Sequence, residues 1–225
     1  SFELWKTLSP SGNRYGLNQG IQLDNLFSSL RNQGFHIWMS LFTFSLPLNE
    51  KLDIAQKQII LKRYLDYVVA RYAAYVDIWE LANEIYLDDK LITFMSDYIR
   101  SIDPYHHPIS TSWERPDLTS IDIISFHWYG PECNHLCDEN FTKQVEKFQN
   151  FNKPFVFSEN GNDYASWDTY SAARMRVRLW IGFFKKKSFI FWNMSNILFM
   201  NRQGPSNIYL GPIERQYISV FNTFV

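Results

Sequence analysis

The sequence predicts an α/β protein of the (β/α)8-barrel type, with about six βα units present in the chain. Three observations carry this prediction. From residue 20 onward, segments of helical period alternate with short apolar runs, and the runs are nearly uninterrupted, as in strands of a parallel sheet buried on both faces. One run after another ends in polar or aromatic residues: Asn83-Glu84, Ser112-Trp113, His127-Trp128-Tyr129, Glu159 and Trp192-Asn193. A ring of such residues at the carboxyl ends of strands is the arrangement of a barrel mouth. An open dinucleotide-binding sheet, the other architecture with this alternation, should carry a glycine-rich turn after its first strand. The sequence has no G-x-G-x-x-G and no phosphate-loop pattern.

The elements follow in order. Ile21 to Arg31 places Leu23, Leu26, Phe27 and Leu30 at helical spacing and stops before Gly34. His36 to Phe44 reads as a strand, Asp53 to Tyr75 as a long amphipathic helix, and Val76 to Ala82 as the next strand. Leu91 to Ile102 is helical and halts at Pro104, and His107 to Ser112 is a short strand. Ile121 to His127 is a strand rich in β-branched residues, Phe141 to Phe151 a helix, and Pro154 to Ser158 a strand. Thr169 to Phe184 is a long helix and Phe189 to Trp192 the last strand. Pro212 then opens a terminal helix from its favoured first-turn position.

At 225 residues the chain fits a single domain with a sizeable core. Aromatic residues reach 18%, which suits both a large core and sugar-stacking platforms. A net charge of −1, with Lys185-Lys186-Lys187 as the longest like-charge run, argues against a nucleic-acid partner. The triplet reads as a solvated helix end. No apolar stretch approaches the roughly 18 residues of a membrane span, and Ser1-Phe2-Glu3-Leu4-Trp5 is unlike a signal peptide. Cys133 and Cys137 flank His135 in a loop-like segment. They could close a small disulfide loop in an oxidising compartment; three ligands on five residues suit tetrahedral zinc poorly, and no metal is expected.

Glu84 and Glu159 each end an apolar run, 75 residues apart. Three βα units separate them, which predicts positions across a barrel mouth. Two such carboxylates are the minimum apparatus of glycoside hydrolysis. Glu80 shares the strand parity of Glu84 and is expected to be a buried, paired, structural carboxylate, since an unpaired one would be costly. His36 begins a strand, at the face associated with stability. His106 and His107 are adjacent, so their side chains diverge and do not suit joint metal ligation.

At the strand ends the sequence resembles the clan-A glycoside hydrolases, the retaining (β/α)8 enzymes that include the cellulase and mannanase-type family five. Trp79-Glu80-Leu81-Ala82-Asn83-Glu84 resembles the fourth-strand motif, and Asp103-Pro104-Tyr105-His106-His107-Pro108 the lead-in to strand five. Phe126-His127-Trp128-Tyr129 resembles the sixth strand, Lys153-Pro154 through Glu159 the seventh, and Phe191-Trp192 the eighth. The ordered set spans residues from about 20 to 225.

The resemblance implies Glu84 as acid/base, holding a proton, and Glu159 as the ionised nucleophile. Retention requires carboxyls about 5–5.5 Å apart, and inversion about 6.5–9.5 Å. Asn83 is expected to bind the sugar 2-hydroxyl, Tyr129 to donate to Glu159, and His127 to line the site. Trp192, Trp113 and Trp128 are expected to stack on sugar faces. The implied reaction needs no cofactor. Its partner is a carbohydrate substrate, with neither nucleic acid nor membrane involved, and a secreted or periplasmic location is expected.

In the family register His36 to Phe44 is the third strand, so two strands and the arginine usually placed beside the nucleophile are missing. A complete barrel needs roughly 250 residues, and a truncated or partial barrel is therefore expected. Ser1 to Gly20 would be the loop after the absent second strand. Open sheet edges would call for self-association or another partner. Two rivals remain: a non-catalytic carbohydrate-binding barrel fragment, and a metal-dependent barrel hydrolase, against which the absence of a His-x-His strand end counts.

Overall fold

The computed structural model describes residues 15–43, 46, 48–112, 114–129, 138–162, 170–195, 207–208 and 210–225. The chain divides into two compact units between Ile123 and Ile124.

The first unit runs α1 (Leu17–Asn32), β1 (Trp38–Ser40), α2 (Ile54–Tyr72), β2 (Ile78–Glu80), α3 (Asp89–Ile102) and β3 (Ile109–Thr111). The strands pair in parallel, β1 with β2 and β2 with β3, with Ser40 opposite Glu80 and Glu80 opposite Ser110. Helix α1 ends where the sequence predicts: Gly34 takes φ 80°, and Gly34 N–H and Phe35 N–H donate to the carbonyls of Arg31 and Leu30. Helix α2 opens with a capping box. The Asp53 carboxylate accepts from Gln56 N–H while the Gln56 side chain accepts from Asp53 N–H, a motif worth about 1 kcal/mol. Its apolar stripe, Leu61, Leu65, Val68 and Tyr72, is buried in one cluster with Met95 and Ile99 of α3, Trp79 of β2 and Ile109 of β3.

The second unit runs β4 (Ile123–Trp128, its first residue lying before the division), α4 (Asp138–Glu146), β5 (Phe155–Asn162), α5 (Ser171–Phe184), β6 (Ser188–Ser195), β7 (Asn207–Ile208) and α6 (Pro212–Phe224). Strands β4, β5 and β6 are parallel, and β7 returns antiparallel to β6. The core is dominated by phenylalanine: Phe126, Phe141, Phe148, Phe155 and Phe157 surround Ile124 and Val145. Much of the aromatic excess therefore fills a core, with rings such as Phe155 and Phe157 meeting edge to face at 4.8 Å.

Every predicted helix and strand is present, with altered bounds. Strands β1 and β2 are shorter than their apolar runs, because bends at Leu41 and Leu81 interrupt the ladder. Pairing resumes beyond them, through Leu41 N–H to Glu80 O and Asn83 N–H to Phe42 O. Strand β7 has no counterpart in the expectations; two residues carry too little pattern to register. Glu80 is buried and accepts from Trp38 Nε1 at 3.0 Å. Lys185 and Lys186 form the exposed turn after α5, with Lys186 at φ 55°. Among the described residues no helix is long and apolar enough to cross a membrane.

Candidate active site

In the first unit the site residues stand just beyond β2. Asn83 is held by its backbone, which bridges to Thr43 and donates to Phe42 O at 2.7 Å. The next residue, Glu84, is exposed and takes φ 52°, a left-handed conformation that a glutamate adopts at a cost of about 1 kcal/mol or more. The buried Ser112 stabilises it: its Oγ accepts from Glu84 N–H at 2.5 Å, while its own N–H donates to Ala82 O. The chain thus turns sharply at the carboxyl end of the strand and leaves the Glu84 carboxylate on the surface.

Beyond β3, Arg115 is clamped between Asp89 at the start of α3 and Asp117. The Asp89 carboxylate, with help from Asp117, pushes the guanidinium of Arg115 further up from its ordinary range. This clamp ties the segment after β3 to the helix that follows Glu84.

In the second unit, β5 departs from regular alternation. Phe157 pairs with Phe126, but the next partner of β4, His127, stands opposite Glu159, so Ser158 is an extra residue. Such a bulge re-aims side chains. Phe157 packs on Phe141 of α4, and Asn160 reaches Arg178 of α5, so both face the helices. Ser158 instead meets Ser125 Oγ at 2.6 Å, and Glu159 meets Tyr129 and His127. Two successive side chains therefore share the face away from the helices.

On that face the Tyr129 hydroxyl donates to Glu159 Oε2, and His127 Nδ1 lies 3.5 Å from the same oxygen. The Glu159 side chain keeps 21% of its surface accessible and the His127 side chain 13%, so the carboxylate is fixed yet reachable. A hydrogen bond to a carboxylate oxygen fixes its direction.

The helix side of the same strand ends holds a buried cation. Arg178 Nη1 donates to Asn160 Oδ1 at 3.1 Å, and Asn160 Nδ2 donates to Trp128 O at 2.9 Å. The Arg178 guanidinium lies 4.8 Å over the Trp128 ring and 5.7 Å from that of Phe141. Burial, with a smaller contribution from Arg174, pulls Arg178 down to about 10.

Of the residues expected at the site, the structure gathers His127, Tyr129 and Glu159 in the second unit and gives Asn83 and Glu84 adjoining places in the first. The expectation for Trp128 needs correction. Strand alternation puts it opposite His127 and Tyr129, and its ring lies against Phe141, Phe157 and Arg178, on the helix side rather than the face of Glu159. Trp192 pairs through its backbone with Gly161 on β5. Trp113, Cys133, His135 and Cys137 lie outside the described residues.

Sequence reasoning marked Ser112 only as part of a polar strand end, and missed Asn160 and Arg178. A signal for Arg178 existed: Ser171, Arg174, Arg178 and Gly182 fall on one helical stripe, and all four are buried.

No family model matches the chain, and no curated protein matches it by sequence. Solved structures do match. An endo-β-1,4-mannanase from Thermotoga petrophila superposes with a TM-score of 0.67 at 16% identity, covering 92% of this chain and 62% of its own. A broad-specificity GH5-4 endoglucanase from an uncultured bovine rumen ciliate gives 0.69 at 10% identity, with 97% and 80% covered. The cellulose synthase subunit Z of Clostridioides difficile gives 0.69 at 14% identity, with 96% and 84% covered. The chain thus spans less than two thirds of the mannanase. At these identities the likeness concerns architecture alone: the chain has, in part, the (β/α)8 fold of these structures.

Proposed function

We propose that the protein is a retaining glycoside hydrolase acting on β-linked glucan, mannan or a related glycan. The observation that carries this reading is Glu159, re-aimed by a bulge to a partly open face and held there by the Tyr129 hydroxyl and His127. Glu159 attacks the anomeric carbon, forming a glycosyl–enzyme ester as the bond to the leaving oxygen breaks. Glu84 gives its proton to that oxygen, then takes one from the water that hydrolyses the ester. The exposure of Glu84 and the sharp turn beneath it suit a group that must reach both oxygens. Asn83 offers its amide to the sugar 2-hydroxyl, a contact that strengthens as the oxocarbenium-like transition state forms. The glycan class is supported by the names of the matching structures, a mannanase and an endoglucanase among them.

The test is turnover of chromogenic β-glycosides and of soluble β-glucan and β-mannan, before and after Glu159→Ala. Activity that disappears in the variant and survives chelation is the expected result. An inert wild-type chain that still binds glycan would replace this reading with the carbohydrate-binding one. Loss of turnover on chelation would replace it with metal-dependent hydrolysis.

A further inference from the structure

We infer that Arg178 is a positioning residue for this reaction, bracing the ends of β4 and β5 from the helix side so that Tyr129 and His127 bear on Glu159. The inference rests on the reading of Glu159 as nucleophile. Among the described residues, Arg178 meets Asn160, Trp128 and Phe141, on the helix side. It acts on the neighbours of Glu159, His127 and Tyr129. Its bond to Asn160 fixes the residue that follows Glu159, and Asn160 passes the restraint to the Trp128 carbonyl, between His127 and Tyr129. The guanidinium also lies over the Trp128 ring, which turns the same peptide from a second direction. Each strand is therefore held at the position adjoining its functional side chain. That restraint falls just beyond the bulge, where the ladder between β4 and β5 is irregular.

A purely structural role explains this side chain poorly. Arg178 is 2% exposed, and among the described residues its Nε has no hydrogen-bond partner. Its bonding partner is a neutral amide and its stacking partner an aromatic ring. Among the described residues no ion pair to Arg178 offsets its desolvation, and an apolar side chain of similar volume would pack with no such loss. Costly local choices of this kind gather around functional sites.

The experiment compares Arg178→Met, Arg178→Lys and Asn160→Ala with the wild type in steady-state kinetics on the best glycoside found, alongside thermal unfolding. Arg178→Met is expected to unfold within a few degrees of wild type and to change KM by less than about threefold, while kcat falls on the order of 100-fold as the reacting groups lose alignment. Arg178→Lys, which restores the charge without the planar fork, should recover part of kcat. The double variant with Asn160→Ala should be little worse than Arg178→Met alone, because both remove one path.

A kcat within about twofold of wild type in Arg178→Met would overturn the inference. So would a loss that merely follows the unfolded fraction. Should Arg178→Met fail to fold, Asn160→Ala carries the same expectation, and wild-type kcat there overturns it. Ring NMR signals of Tyr129 and His127 separate this inference from the reaction itself. In Arg178→Met they should move while those of Tyr98 and His36 stay, even in a chain without turnover, and unmoved signals would end the inference on their own.

Discussion

A glutamate on a regular strand alternates with its neighbours, so Ser158 and Glu159 would face opposite sides of the sheet. One inserted residue removes that constraint and leaves Phe157 and Asn160 on the helix side, where the core and Arg178 hold them. The bulge fixes the direction of Glu159, and the Tyr129 hydroxyl completes it. Tyr129→Phe removes one hydrogen bond to a charged group, worth about 1.5–3 kcal/mol. It should lower kcat on the order of 10- to 100-fold with little change in folding, as read by steady-state kinetics beside circular dichroism. A variant with unchanged kcat would deny Tyr129 its role. The Tyr129–Glu159 contact was expected from the strand-end segments, since both residues close neighbouring strands of the family-like order. The bulge was not, because an irregular ladder depends on what the neighbouring strand presents. Trp128 was misjudged for a simpler reason: alternation with His127 and Tyr129 already assigned it to the helix side.

Among the elements, the junction of β2, α3 and β3 turns on one carboxylate. Asp103, 2% exposed at the end of α3, accepts from Trp79 Nε1 of β2 and from Tyr105 N–H, His107 N–H and His107 Nδ1 on the lead-in to β3. Burial alone would raise its carboxyl, but the donors, Tyr105 N–H and Trp79 foremost, outweigh it and hold Asp103 below the ordinary carboxylate range. A carboxylate depressed in the folded state stabilises fully above its unfolded value of 3.8, and that stabilisation is lost as pH falls through the lower folded value. Urea unfolding should therefore show a steeper stability loss below about pH 4 in wild type than in Asp103→Asn, the other lowered carboxylates contributing equally to both. Asp103→Ala should cost about 3 kcal/mol or more, since it strands the buried Trp79 indole N–H with the other donors. Equal acid sensitivity in wild type and Asp103→Asn would contradict this. The segment was recognisable from its sequence as a lead-in to a strand. Its function as a clamp was not, because Trp79 is 24 residues away and nothing local ties the two together.

For the whole molecule, alternation of helical and apolar segments was enough to predict the fold, and the same alternation survives in structures only 10–16% identical. A parallel sheet covered by helices asks only for apolar runs of the right length and order, which many sequences satisfy. The chemistry asks for more: particular groups on particular faces. That part was legible where a strand-end segment carries it, as at Tyr129 and Glu159, and hidden where a bulge or a helix behind the sheet contributes, as at Ser158 and Arg178. The most direct test of the central claim is intact-mass and peptide analysis after incubation with activated 2-deoxy-2-fluoro β-glucosides and β-mannosides. These reagents form the glycosyl–enzyme and slow its hydrolysis. A mass increase of one sugar, carried by the peptide containing Glu159 and absent in Glu159→Gln, is the expected result. A label on another residue, or hydrolysis of ordinary glycosides with no label on Glu159, would contradict it.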